Sequence, residues 1–168
     1  MPAIYVESLS SPEYQKFLQV CDTAVIGLAS IETHGPHLSL CADPLVGDGV
    51  LRRAAGQVAD DANLVIFPTI PYALVCHHGN DRSPQYPGII GVTEETLMRL
   101  FHDVAGCLVR DGFRKLLIFN MHGGNSMFLP VICHSLERDY PALHCFHYMV
   151  TNGMEWGQFG EKSCGHGC

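Results

Sequence analysis

The sequence has no basic stripe. Its 168 residues hold 10 Lys and Arg against 17 Asp and Glu, a formal net charge of −7. No run of cations is long enough to follow a phosphate backbone, which counts against nucleic acid as a partner. No apolar run approaches the length of a bilayer span, which counts against a membrane partner. Met1 to Glu7 lacks the basic stretch and apolar core of a secretory leader, so the chain is expected to be cytoplasmic. Paired cysteines are also scarce. Of the 8 cysteines, Cys21, Cys41, Cys76, Cys107, Cys133 and Cys145 are scattered singly, and only Cys164 and Cys168 stand close together. In a reducing compartment most of them are expected to be small buried hydrophobes, not disulfides. The tail Cys164-Gly165-His166-Gly167-Cys168 has no second pair at finger spacing. Finally, no glycine-rich phosphate loop follows the first apolar strand, which counts against a metal-independent nucleotide- or sugar-binding domain.

What is present suits one packed core. Hydrophobic residues make up 47% of the chain and charged residues 16%, and the length is that of one domain. Ser11 as a cap, Pro12 at the first helical position, and Tyr14, Phe17, Leu18 and Cys21 at three- and four-residue spacing predict a short helix. Thr23 to Ala29 is an apolar run without alternation, the pattern of a parallel strand covered on both faces. Val46 to Asp60 carries Val50, Leu51, Ala54, Ala55 and Val58 as a helical stripe, and Leu64 to Ile70 reads as the next buried strand. Between Tyr72 and Gly91 periodicity fails, and His77 and His78 lie in this irregular stretch as secondary candidates for reaching a substrate. A helix from Thr93 presents Leu97, Leu100, Phe101, Val104 and Leu108 and is closed by Gly112. Lys115 to Asn120 is a third apolar strand. A helix with Phe128, Leu129, Ile132 and Leu136 inward leads to a last strand from Ala142 to Val150. This order implies an α/β fold, three-layered, with a mainly parallel sheet flanked by helices, over a single domain of residues 1–168.

Two segments carry the chemistry. Glu32-Thr33-His34-Gly35-Pro36-His37-Leu38-Ser39-Leu40-Cys41-Ala42-Asp43 packs two carboxylates and two imidazoles into one stretch just past the first buried strand. Gly35-Pro36 stops regular structure there, so the segment reads as a loop. These are donors that Zn²⁺ or Mn²⁺ accepts. The second segment, Asn120-Met121-His122-Gly123-Gly124-Asn125, follows another buried strand. In parallel sheets ligands bind beyond the carboxyl ends of the strands, so both segments fall on one edge and predict one shared site.

These motifs, together with Tyr86-Pro87-Gly88 and Gly112-Phe113, resemble the creatininase (creatinine amidohydrolase) family from about Ile26 to His166. The resemblance implies a creatininase-like fold and a metal-dependent amidohydrolase acting on cyclic amides, formamides or related C–N bonds of small molecules. It implies a two-metal site of Zn²⁺, Mn²⁺ or Fe²⁺, with Glu32, His34, Asp43 and His122 as ligands and Asp43 bridging. Glu32 and His166 are the catalytic candidates, His166 assisting proton transfer from the family's Gly-His-Ala-Gly position. Homo-oligomers, commonly hexamers, are expected. The chain departs from the pattern in three places. Gly124 stands where the creatinine-hydrolysing members have a metal-binding Glu. Ser83-Pro84-Gln85 replaces the usual His-bearing run before Tyr86, and Ile89 replaces a Thr. The sequence stops at Cys168, before the Glu-Thr-Ser triplet from which other relatives take a carboxylate, so the C-terminal part of the family fold is expected to be missing. With only His34 and the Asp43 bridge left for a second ion, about one tightly held metal per chain is expected. The alternative reading is a truncated, catalytically impaired member with a binding or assembly role.

Overall fold

A computed structural model describes residues 3–58, 62–75 and 87–152. Five strands, β1 (Ile4–Tyr5), β2 (Thr23–Leu28), β3 (Leu64–Ile70), β4 (Lys115–Asn120) and β5 (His144–Met149), form one sheet in the order β1-β3-β2-β4-β5. Every pairing is parallel. Four helices flank it: α1 (Ser11–Phe17), α2 (Ala42–Gln57), α3 (Glu94–Asp111) and α4 (Leu129–Asp139).

The uninterrupted apolar runs are explained by cover on both faces. Ala24, Ile26 and Leu28 of β2 pack with Leu97, Phe101, Ala105 and Leu108 of α3 and Leu129, Ile132 and Leu136 of α4. Val25 and Ala29, pointing the other way, pack with Leu51 and Ala55 of α2. A strand residue of either parity is therefore buried, and polar alternation has no place to appear. The helix from Thr93 starts where its sequence says. The Thr93 hydroxyl accepts from the Thr96 N–H at 3.2 Å, Glu94 and Glu95 lie in the first turn, and Gly112 ends it with φ 105°, a left-handed conformation that costs glycine least.

Three expectations are corrected, and one strand was not foreseen. The cap of α1 is Ser10, not Ser11, because the Glu13 carboxylate accepts from the Ser10 N–H at 2.8 Å and closes a capping box there. β1 has no counterpart in the sequence pattern. Two residues show no period, and its bonds come from β3, with Ile4 opposite Val65. In α3, Leu100 is on the exposed side and Ala105 takes the buried position. α2 begins at Ala42, four residues before the predicted Val46, so Asp43 belongs to a helix's first turn and not to a loop. Pro44 fits there because an N–H in the first turn needs no intrahelical partner. The buried face of α2 is Gly47, Leu51 and Ala55, while Leu45, Val46 and Val50 face outward at 67%, 66% and 37% exposure.

Gly47 explains how α2 reaches the site. A Cβ at this position would lie 2.2 Å from the Met121 sulfur, so only glycine lets the helix rest directly on the residue before His122. Asp43, four residues earlier, is on the same helix face and is carried over His122. Gly27 of β2 makes room for the other end of Met121, whose Cε would be 2.9 Å from a Cβ there.

Candidate metal centre

After β2 the chain runs through α2 to β3 on one side, and after β4 it runs through α4 to β5 on the other. Adjacent strands whose connections diverge leave a crevice at their carboxyl ends. Glu32 follows β2 and His122 follows β4, so both lie at this end of the sheet, buried. The Glu32 N–H donates to the Leu40 carbonyl at 3.1 Å, closing the loop between them, and Gly35 turns the chain with φ 72°.

Four predicted side chains meet here. His122 Nδ1 lies 2.9 Å from Glu32 Oε1 and 3.1 Å from Asp43 Oδ2, while His34 Nε2 lies 3.0 Å from Asp43 Oδ1 and 3.6 Å from Glu32 Oε1. Asp43 thus turns one oxygen to each imidazole. Glu32 is fully buried, His122 and His34 nearly so, and Asp43 mostly. Buried carboxylates demand positive charge, and His122 registers it. Burial by itself would hold its imidazole down, but hydrogen bonds to Asp43 and Glu32 and their charges raise it to about 9. His122 Nε2 is buried with no hydrogen-bond partner among the described residues.

A second layer fixes His122. The Asn120 side-chain oxygen accepts from the His122 N–H at 3.2 Å and from Asn125 Nδ2 at 3.1 Å, and the Asn125 oxygen accepts from the Leu74 N–H at 3.0 Å. The Ser30 hydroxyl donates to the Leu74 carbonyl at 3.2 Å. Ser30, Asn120 and Asn125 are all buried, so this network ties the exits of β2, β3 and β4 together. Sequence reasoning assigned these three no role. The available signal was two asparagines flanking a His-Gly-Gly run beyond a buried strand, where an amide has backbone to satisfy.

The other candidates fare differently. His37 is exposed and does not join the cluster. Tyr86 of the middle motif lies outside the described residues, but Gly88 sits against Leu40 with φ 97°, and the Ile90 N–H donates to the Ile31 carbonyl at 3.0 Å. The middle motif therefore lines the first. His77, His78, His166, Cys164 and Cys168 lie outside the described residues. At Gly124 a Cβ would lie 2.4 Å from His122 Nε2 and 3.1 Å from the Leu74 carbonyl, so the position lacks a ligating group and has no space for one while His122 keeps its place.

Comparison with known proteins agrees with this architecture. The family model described as creatinine amidohydrolase matches residues 7–168. The chain is similar to a creatinine amidohydrolase of Pseudomonas putida, 26% identical over 128 residues, covering 76% of this chain and 48% of that protein. It is similar to a 3-dehydro-scyllo-inosose hydrolase of Thermotoga maritima, 24% identical over 135 residues, covering 80% and 40%. It thus spans about half the length of the curated relatives it matches or less. Among solved structures, one titled "Creatininase Mn" superposes with a TM-score of 0.80 at 21% identity, over 98% of this chain and 68% of that one.

Proposed function

We propose, since this chain belongs to the creatininase family, that it is a metal-dependent amidohydrolase adding water across a C–N bond of a small cyclic amide or formamide. The observation that carries this reading is the meeting of Glu32, His34, Asp43 and His122 in one buried cluster at the diverging ends of β2 and β4. Two carboxylates and two imidazoles are a donor set for Zn²⁺, with Mn²⁺ or Fe²⁺ as substitutes. The geometry suits an ion as well. Ligands about 2.1 Å from a tetrahedral centre stand about 3.4 Å apart, and the nitrogen–oxygen separations here run from 2.9 to 3.6 Å.

In this reading Glu32, His34, Asp43 and His122 would hold the divalent metal, and the ligating atoms of Glu32, His34 and Asp43 lie within 4.8 Å of one another. A bound divalent ion supplies Lewis acidity for the amide carbonyl and acidifies water at neutral pH. The remaining work belongs to the chain. Glu32 receives the proton of the attacking water, and His166, outside the described residues, helps deliver a proton to the leaving nitrogen, without which an amine anion would have to depart. Asn120 and Asn125 keep the His122 ring in register. The protein works as a homo-oligomer, as expected from the family resemblance.

Elemental analysis of the purified protein beside His34→Ala and His122→Ala tests the site. Metal in the wild type and its loss in both variants is expected, and equal metal in all three would sink it. Turnover of a panel of cyclic amides and formamides by the metal-loaded protein tests the activity. A second reading, an impaired member with a binding or assembly role, draws on Gly124, which offers no carboxylate. Tight metal binding with no turnover of any amide would favour it.

A further inference from the structure

We propose that Cys133 and Cys145 are an oxidisable dithiol that closes a reversible disulfide between α4 and β5, away from the metal cluster. Twelve residues apart in sequence, the two were expected to be isolated buried hydrophobes. Folding instead brings their sulfurs to 3.2 Å, with the Cys145 thiol donating to Cys133, and leaves each residue 7% exposed. The two elements are held together at this place by a second contact, since the Cys145 N–H donates to the Glu137 carboxylate at 3.0 Å. Bridging therefore needs an approach of roughly 1 Å between sulfurs already in contact, not a rearrangement of the backbone.

The pair is also asymmetric. The hydrogen bond from Cys145 favours the thiolate of Cys133 and holds it below the ordinary thiol range, while the same bond and burial push Cys145 up. Cys133 is then the attacking sulfur and Cys145 the resolving one. With hydrogen peroxide as oxidant, the Cys133 thiolate attacks one oxygen, the O–O bond breaks and hydroxide leaves, giving a sulfenic acid. The Cys145 sulfur attacks that sulfur, the S–O bond breaks, and water departs with the Cys145 proton. Two thiols and one peroxide become one disulfide and two waters. A small oxidant suits sulfurs buried this deeply. The product ties the edge strand β5 to α4, and none of Glu32, His34, Asp43 and His122 lies on either element; β5 meets the site's surroundings where Met149 pairs with Asn120. Metal content should therefore not change.

The test is peroxide titration of the full reduced chain, followed by alkylation, digestion without reductant and mass spectrometry. A peptide pair joining Cys133 to Cys145, lighter by two hydrogens and restored by dithiothreitol, should form before either sulfur reaches sulfinic acid. The oxidised protein should melt roughly 5 °C higher, since closing a short loop restricts the unfolded chain. In Cys145→Ser the sulfenic acid on Cys133 should persist and react with dimedone. The proposal is overturned if both cysteines are alkylated after the peroxide is spent, if either links to a different cysteine, or if Cys133 over-oxidises in the wild type. An unchanged or lower melting midpoint would equally reject a pair preformed by the fold.

Discussion

At the amino-terminal end of the sheet, Asp22 beside β2 pairs with Lys115 at the start of β4 at 3.2 Å, both side chains about half exposed. At the carboxyl end, the same two strands deliver Glu32 and His122, paired at 2.9 Å and withdrawn from water. The distances are similar, yet the consequences differ. Water and salt screen the first pair, so each partner tolerates loss of the other. In the cluster nothing screens, and two carboxylates beside one another hold a proton on His122 up to about 9. Position along one strand thus separates a surface charge pair from a buried cluster of carboxylates and imidazoles, and burial, not the type of pair, makes the difference.

Removing one partner at each end should have very different consequences. His122→Ala leaves the Glu32 and Asp43 carboxylates with His34 as the one imidazole of the cluster, and chemical denaturation in the presence of chelator should show a loss of about 3–5 kcal/mol. Lys115→Ala should cost under about 1 kcal/mol. Equal losses at the two ends would break the contrast.

Next in size is the amide network behind the cluster. Asn125→Ala leaves the Leu74 N–H without its acceptor and the Asn120 oxygen short of one donor, a cost of about 1–3 kcal/mol. Metal affinity by competition with a chromophoric chelator should fall with it, since His122 loses its support. Stability lost without any change in metal affinity would mean that the network only staples the strand exits.

Gly124→Ala should act in the same direction with a smaller effect on stability, about 1–2 kcal/mol, by pressing a methyl group on the His122 ring. Gly124→Glu should likewise lower metal occupancy, the opposite of what the family pattern suggests, because the side chain displaces the His122 imidazole, a proposed ligand, before it can serve as another. A rise in occupancy would show that the ring moves aside freely.

The smallest effect belongs to Asp22. The Thr23 hydroxyl and Lys115 hold its carboxyl below the ordinary value near 3.8. A depressed carboxyl contributes above its unfolded pKa and loses that contribution as pH falls through the lower folded value. Asp22→Asn should therefore lower the melting midpoint only slightly at pH 5–8 in low salt, and the difference should vanish in 0.5 M salt and in acid, where the wild-type carboxyl has also lost its charge. A large loss at neutral pH would deny that exposure makes this pair cheap.

The strands and the four cluster residues were legible for a shared reason. Thr23–Leu28, Leu64–Ile70 and Lys115–Asn120 are covered on both faces, so burial wrote itself into consecutive residues, and polar groups just past their ends stood out. β1 was invisible because two residues carry no period. Asp43 was assigned to a loop because Gly35-Pro36 breaks regular structure within the same segment, whereas the helix resumes at Ala42 and tolerates Pro44 in its first turn. The outward Leu45, Val46 and Val50 hid the true buried face of α2, since apolar residues on both sides of a helix erase its stripe.

From α1 onward the order of elements, the parallel layered fold and the four cluster residues could be read from the chain alone, because hydrophobic period and residue type are local properties. Only the tertiary structure decided that Gly47 lets α2 sit on Met121 and swing Asp43 over His122, that Asn125 reaches Leu74 fifty-one positions away, that Gly124 is filled by an imidazole, and that Cys133 touches Cys145. Each of these is a contact between segments distant along the chain, and its existence depends on packing distances of a few tenths of an ångström that no local pattern encodes.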